Sequence, residues 1–187
     1  YELATGRSVG LKLGRGFDRD LIPSTAGAQW VSADGQVVEL GLWFGALARS
    51  GIRRSALVLR GDDAHELTAE ADSEDAETGE LGEYLYEPDG AVIRARLIGD
   101  LARRLDGRML GDGIAYITAD EASATPFAAG FRILETLPFA EKELKKALRA
   151  RGVGTLEIKK RGVDVDPAAL RTRLKLSGDR PATLILT

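Results

Sequence analysis

The chain has 187 residues, no cysteine and a formal net charge of −3. The absence of cysteine excludes a disulfide framework, a cysteine metal site and a thiolate nucleophile. No run approaches the roughly 18 to 20 apolar residues of a membrane span, and no basic-then-apolar signal pattern opens the chain. We therefore expect a cytoplasmic protein with no membrane partner. The chain begins at Tyr1 and its only methionine is Met109, so we expect it to be part of a longer protein.

Charge is distributed unevenly along the chain. Residues 61–83 contain ten acids and no Lys or Arg, whereas residues 131–187 contain thirteen cations against seven acids, a net charge of +6. A basic region beside an acidic segment indicates a polyanion partner, with the acidic segment either solvated or shielding the basic one.

Strand patterns dominate the first third of the chain. They cover residues 8–13, 28–33, 36–44 and 54–60, with an extension of the last one at 65–69. Asp34-Gly35 between the second and third runs is a strong hairpin signal. The 36–44 run is nearly all apolar, as expected when both faces of a strand are covered. Together these strands resemble the end of a larger sheet.

The acidic stretch that follows has no periodic apolar face and marks a boundary. After it, the pattern predicts a helix from Asp89 to about Leu105, then a strand at 114–118. The remaining elements are a strand at 131–137, a helix at 140–151, a strand at 155–160, a helix at 167–175 and a strand at 182–186. The C-terminal order is therefore β-α-β-α-β.

Cations cluster around the predicted strand at 155–160. Asp166 before Pro167 indicates an N-cap followed by proline in the first helical turn, so the strand should lead through a cationic loop into a helix. On the preceding predicted helix, four cations share one face at positions i, i+3, i+4 and i+7. They either track phosphates or form an ordinary solvated face. The binding candidates are Lys142, Lys145, Lys146, Arg149, Lys159, Lys160, Arg161, Arg171, Arg173 and Lys175.

Several strings carry a family resemblance. YLYEPDGAVIRARLIGDLARRL, TPFAAGFRILETLPF and ALRARGVGTLEIKKRGVDVDPAALRTRLKLSGDRPATLILT resemble the C-terminal part of bacterial class I S-adenosylmethionine-dependent methyltransferases that carry a THUMP-like domain. SVGLKLGRGFDRDLIP, AQWVSADGQVVELGLWFG and SALVLR resemble the last strands of that family's methyltransferase sheet, including its terminal antiparallel hairpin.

The resemblance implies an α+β and α/β chain of several parts. Residues 1–69 would be the C-terminal strands of a Rossmann-like methyltransferase sheet, and residues 70–80 an acidic linker. Residues 81–129 would form a small ferredoxin-like domain, and residues 130–187 a THUMP-like β-α-β-α-β domain.

The resemblance also implies a function. The parent protein would transfer a methyl group from S-adenosylmethionine to structured RNA, with transfer RNA suggested by analogy, and this part would hold and orient the RNA. Its other partner would be the upstream methyltransferase core. The family's glycine-rich cofactor loop and its D-P-P-type motif would lie upstream, so we assign no catalytic or cofactor residue here and expect no cofactor binding by this chain alone. Gly14-Arg15-Gly16 lacks the third glycine of a cofactor loop and indicates a plain turn.

Two alternatives remain open. The chain could itself be an active enzyme, or it could be a structural or protein-interaction module with no nucleic acid partner.

Other residues with chemical capacity have simpler interpretations. His65 is expected at the surface rather than in a metal site, and no metal is expected. Asp18 and Asp20 are expected to serve a turn or cap, with a supporting role at a ligand edge as the alternative. The aromatic residues of the strands, Trp30, Trp43 and Phe44, are expected in the core. The remaining candidates for base stacking are Tyr84, Tyr86 and Tyr116, which lie outside the basic region.

Overall fold

The computed structural model describes residues 7–187. They form a mixed α+β fold that divides into two compact units, an N-terminal unit ending at Arg132 and a C-terminal unit comprising Ile133–Thr187. Within the described residues, no helix has the length and apolar content needed to cross a membrane.

The N-terminal unit begins with five strands. They are β1 (Val9–Leu13), β2 (Gly27–Ala33), β3 (Gln36–Phe44), β4 (Arg54–Arg60) and β5 (Asp63–Ala69). The sheet order is β1-β3-β2-β4-β5, with β2 and β4 parallel and all other neighbours antiparallel. Asp34 and Gly35 have φ angles of 48° and 80°. A type I′ turn requires positive φ at both positions, so the predicted hairpin is confirmed.

One strand prediction in this sheet is wrong. Residues 65–69 do not extend β4; the chain reverses at Gly61, whose φ is 56°, and β5 pairs antiparallel with β4. Asp62 therefore lies in the turn, and Asp63 is the first residue of β5.

A second sheet completes the N-terminal unit. Its elements are β6 (Tyr84–Pro88), α1 (Gly90–Arg94), α2 (Ile98–Arg104), β7 (Arg108–Met109), β8 (Ile117–Ala119) and β9 (Ala128–Arg132). The strands lie in the order β7-β8-β6-β9. The strand predicted at 114–118 corresponds to β8, which is shorter and begins at Ile117.

The single helix expected from Asp89 to Leu105 is interrupted. Arg96 adopts a left-handed conformation with a φ of 59°, and its carbonyl oxygen accepts a hydrogen bond from the Ser73 amide. Val92 and Leu97 are five positions apart, so a continuous helix would turn them to different faces. The interruption lets both side chains be fully buried.

Both sheets share one hydrophobic core. Trp30 and Leu42 of the first sheet belong to the same buried cluster as Val92, Leu101 and Ile117. Residues from the predicted regions 1–69 and 81–129 thus pack together. Their assignment to a Rossmann-like remnant and a ferredoxin-like domain stays a prediction.

The C-terminal unit is a small two-layer fold. It contains α3 (Glu141–Ala150), β10 (Val153–Lys160), α4 (Pro167–Leu174) and β11 (Arg180–Leu186). β10 and β11 pair in parallel, as expected for strands joined by a crossover helix. The helices and strands enclose a core of their own, formed by Leu144, Leu148, Val153, Leu156, Ile158, Leu170, Leu174 and Leu186.

The first strand of the predicted β-α-β-α-β order is placed differently. It ends at Arg132 and pairs with β6, and residues 133–140 form no helix or strand. The strand predicted at 131–137 does not continue past Arg132, because only residues 128–132 pair with another strand. Leu134, one of the apolar residues that suggested this strand, is 88% exposed.

Candidate nucleic-acid interface

Helix α3 presents the predicted cationic face. Leu144 and Leu148 are buried in the core of the C-terminal unit, which turns the opposite side of the helix outward. Lys142, Lys146 and Arg149 are exposed and Lys145 is half-buried. The shared face predicted from the i, i+3, i+4 and i+7 spacing therefore exists on a real helix.

Three predicted arginines bond to the protein itself. Arg149 donates from Nη2 to the Lys175 carbonyl oxygen at 3.0 Å, and Arg171 donates from Nε to the Leu156 carbonyl oxygen at 2.9 Å. Arg173 donates from Nε to the Glu141 carboxylate, 3.0 Å from Oε2. These bonds connect α4 and its C-terminus to α3 and β10. We conclude that these guanidinium groups stabilise the unit.

The cations at the end of β10 are also partly engaged. Lys159 Nζ lies 3.1 Å from Glu157 Oε1, and Thr183 Oγ1 donates to the other oxygen of Glu157 at 3.2 Å. The Arg161 amide donates to the Leu186 carbonyl oxygen at 3.0 Å. The alternation of side chains along a strand places residues 157 and 159 on the same face, which brings Glu157 within reach of Lys159.

The remaining candidates form a chemically uniform group. Among residues 7–187, no hydrogen-bond or ion-pair partner is present for the ammonium groups of five lysines. We call them the lysine set: Lys142, Lys145, Lys146, Lys160 and Lys175. An ammonium group is a compact charge with rotatable donors, which suits phosphate contact without base readout.

Two acids of the acidic stretch, Glu66 and Asp72, are paired with arginines of the N-terminal unit. Arg49 hydrogen bonds lower the pKa of Glu66 to about 2, with bonds from Ser55 and Gln29 acting in the same direction against desolvation. At Asp72, desolvation raises the pKa, but hydrogen bonds from Arg54 and Arg19 outweigh it and the net pKa is lowered. Both carboxylates are therefore ionised partners of local arginines, not freely solvated charges.

The other candidate residues have ordinary structural roles. Asp18 caps a short 3-10 turn by accepting from the Asp20 amide at 3.0 Å. The Phe17 amide donates to the Gly14 carbonyl oxygen at 3.0 Å, so Gly14-Arg15-Gly16 is a plain turn. His65 makes an edge contact with Phe127, their ring centres 6.5 Å apart. Residues 7–187 contain no cluster of three or more His, Asp or Glu side chains able to hold a metal ion.

The aromatic residues divide into buried and exposed ones. Tyr86 and Tyr116 are buried, which rules them out as stacking surfaces, and Trp30 and Phe44 lie in the core as predicted. Trp43 is 37% exposed, so its assignment to the core is wrong. It alternates with Leu40, Leu42 and Phe44, and that spacing alone places it on the opposite face. The expectation that both faces of this strand are covered fails for the same reason.

Comparison with known proteins shows that the chain is similar to part of larger proteins. Residues 128–187 match the family model described as THUMP domain-like. The chain is 37% identical over 185 residues to proteins named as uncharacterized S-adenosylmethionine-dependent methyltransferases in two strains of Mycobacterium tuberculosis, CDC 1551 / Oshkosh and ATCC 25618 / H37Rv. Each match covers 97% of this chain and 50% of the relative. The chain thus spans about half the length of the curated relatives it matches.

A solved structure has the same fold. The crystal structure of a candidate methyltransferase from Porphyromonas gingivalis W83 superposes with a TM-score of 0.74 at 24% identity, covering 96% of this chain and 48% of that chain. Taken with the THUMP-like match at 128–187, these relationships confirm the resemblance noted in the sequence: over nearly its whole length, the chain is similar to the C-terminal part of an S-adenosylmethionine-dependent methyltransferase with a THUMP-like domain.

Proposed function

We propose that this chain is the RNA-holding and RNA-orienting C-terminal part of an S-adenosylmethionine-dependent RNA methyltransferase. The observation that carries the proposal is the lysine set, five ammonium groups without a protein partner in the described chain, within the THUMP-like region. Phosphate contacts position a nucleic acid without reading its sequence. That property suits a domain that delivers one nucleotide to a pocket elsewhere in the protein.

The names of the relatives support a proposal for the activity of the longer protein. We propose that the longer protein uses S-adenosylmethionine, that its cofactor is held by the upstream methyltransferase core, and that it acts on RNA in the cytoplasm. Transfer RNA is the substrate we would test first. The proposed parts remain residues 1–69, the linker 70–80, residues 81–129 and residues 130–187.

The test removes charge from one helix face. Replacing Lys142, Lys145 and Lys146 by glutamine should weaken binding of a bulk transfer-RNA pool, because three phosphate contacts are lost. The slope of log K against log salt should become shallower by about 0.7 per contact on single strands, roughly 2 in all. Binding is measured by gel shift at several salt concentrations.

A matched control keeps the same change in net charge. Arg15, Arg94 and Arg104 are exposed in the N-terminal unit without a bonded partner among the described residues. Their replacement by glutamine should leave the salt slope unchanged. Equal losses in both triple variants would indicate a net-charge effect and contradict a localised interface.

One rival function makes the opposite prediction. A protein-interaction or structural module would retain no RNA, and its salt response would be flat. A second rival, an enzyme active in this chain alone, requires a saturable heat of S-adenosylmethionine binding in calorimetry. We expect no such heat.

A further inference from the structure

Trp43 offers an aromatic surface on the outer face of the five-stranded sheet. It is 37% exposed, whereas Trp30 on the neighbouring strand is 1% exposed. A Cβ atom at Gly10 would lie 2.9 Å from Cζ3 of the indole, and one at Gly41 would lie 3.3 Å from its Nε1. The indole therefore lies across two positions that have no side chains. More than a third of Trp43 remains open to solvent.

A small cleft borders this indole. It is lined by Gly27, Ala28, Gln29, Trp43, Arg49, Ile52 and Ser55. Two of its polar groups are fixed by Glu66, which accepts from Gln29 Nε2 at 2.7 Å and from Arg49 Nη1 at 2.7 Å.

The fixed groups retain hydrogen-bonding capacity. Gln29 directs its amide nitrogen toward Glu66 and Ser55, and no residue between 7 and 187 donates to its carbonyl oxygen. Arg49 uses Nη1 and Nη2 for Glu66, and in the described part of the chain no residue accepts from its Nε. Two residues that line the cleft with Trp43 thus keep one acceptor and one donor available for further hydrogen bonds.

We propose that Trp43 is a stacking platform for an unpaired nucleobase, with Gln29 and Arg49 available to the base edge. Every base has a π face, so aromatic stacking tolerates any sequence. The adjoining polar groups favour a ligand with hydrogen-bonding edges over an aliphatic one. This site lies in the N-terminal unit and stands independently of the lysine set.

The alternative for the same geometry is purely structural. An aromatic side chain laid over glycines on a neighbouring strand stabilises a sheet without any ligand. The two explanations differ in whether the outer ring face binds a base.

Intrinsic fluorescence tests the proposal on the full chain. Because Trp30 is buried, saturable quenching by adenosine 5′-monophosphate or by a 12-nucleotide oligoadenylate is expected to report Trp43. Trp43→Ala should abolish this quenching. It should also weaken binding of a fluorescein-labelled 12-mer, followed by anisotropy, by at least about fivefold. Trp43→Phe keeps a ring over the glycines and should retain part of the affinity.

The outcomes separate the explanations. If the 12-mer binds more tightly than the mononucleotide, the base comes from an RNA strand. If the two affinities are equal, the base comes from a free nucleotide. Either result supports Trp43 as a stacking platform. Unchanged affinity in a folded Trp43→Ala variant, or no saturable quenching, would overturn it. Trp43→Ala should leave the salt slope unchanged, whereas the lysine variants change it, so this site and the proposed lysine interface can fail separately.

Discussion

The Glu66 carboxylate lies where side chains from four segments meet on the outer face of the first sheet. It receives hydrogen bonds from Arg49, Ser55 and Gln29. Hydrogen bonds to an ionised acceptor stabilise a protein more than neutral ones do. The charge of this one residue therefore orders the loop that contains Arg49 and the cleft beside Trp43.

Glu66→Gln should destabilise the N-terminal unit by about 1 to 3 kcal/mol at pH 7. The arginine bonds lower the pKa of Glu66 to about 2 from an ordinary value of 4.5. A lowered native pKa stabilises the fold above the unfolded pKa, and this stabilisation is lost as the pH falls from about 4.5 toward 2. The free energies of unfolding of wild type and variant, measured by urea denaturation, should therefore become more similar as the pH falls over that range.

Glu39→Gln provides the matched control on the same sheet face. Glu39 pairs with Lys12, whose side chain is 78% exposed, and exposed ion pairs contribute little. If both variants lost equal stability with equal pH dependence, the special role of Glu66 would be refuted.

For single residues, the sequence predicts which side chains share a face better than it predicts their hydrogen-bond partners. The spacing of the α3 cations was sufficient to place them on one face. It could not reveal that Arg171 reaches the Leu156 carbonyl oxygen or that Arg173 reaches Glu141, because those contacts join elements that are distant in sequence. The exposure of Trp43 could have been predicted, because alternation along the strand places it opposite Leu42 and Phe44. Its assignment to the core came from its apolar character alone.

Among the elements, α4 illustrates how a local signal determines a helix start. Asp166 accepts hydrogen bonds from the amides of Ala168 at 2.9 Å and Ala169 at 3.3 Å, and Pro167 occupies the first turn. The side-chain carboxylate satisfies amides that have no partner within the helix. This start was predicted from two adjacent residues.

Asp166→Ala should lower the free energy of unfolding of the C-terminal unit by about 1 kcal/mol. Chemical denaturation followed by circular dichroism measures the loss. Asp164→Ala, an exposed acid on the same loop, is the control and should have little effect. A larger effect at 164 than at 166 would refute the capping role.

Element boundaries were predictable where local chemistry decides them and not where tertiary packing does. The Asp34-Gly35 hairpin depends on two residues and was predicted. The interruption at Arg96 depends on burying both Val92 and Leu97 in a core built from distant strands. The apolar pattern of this segment is continuous, so it predicted one unbroken helix. The strand expected at 131–137 ended at Arg132 because only residues 128–132 have a partner strand in β6.

At the scale of the whole molecule, residues 7–187 form two separate hydrophobic cores. One cluster serves both sheets of the N-terminal unit, and the other is confined to residues 144–186. Compact units with their own cores are expected to unfold as separate cooperative units.

Leu170→Ala should therefore destabilise the C-terminal unit alone, by about 2 to 5 kcal/mol, since Leu170 is fully buried. Hydrogen exchange resolved by peptide should show faster exchange in residues 133–187 and unchanged exchange in the N-terminal unit. Leu101→Ala should give the reverse pattern. Uniform acceleration in either variant would mean that the two cores unfold as one.

The division between bonded arginines and unbonded lysines has a further chemical consequence. Acylation of a lysine amine removes its positive charge, while the guanidinium bonds of Arg149, Arg171 and Arg173 remain intact. Such a reaction could lower the attraction for a polyanion one charge at a time without unfolding the C-terminal unit. The charge of the unit can therefore change at its lysines while the arginine bonds that stabilise its fold persist.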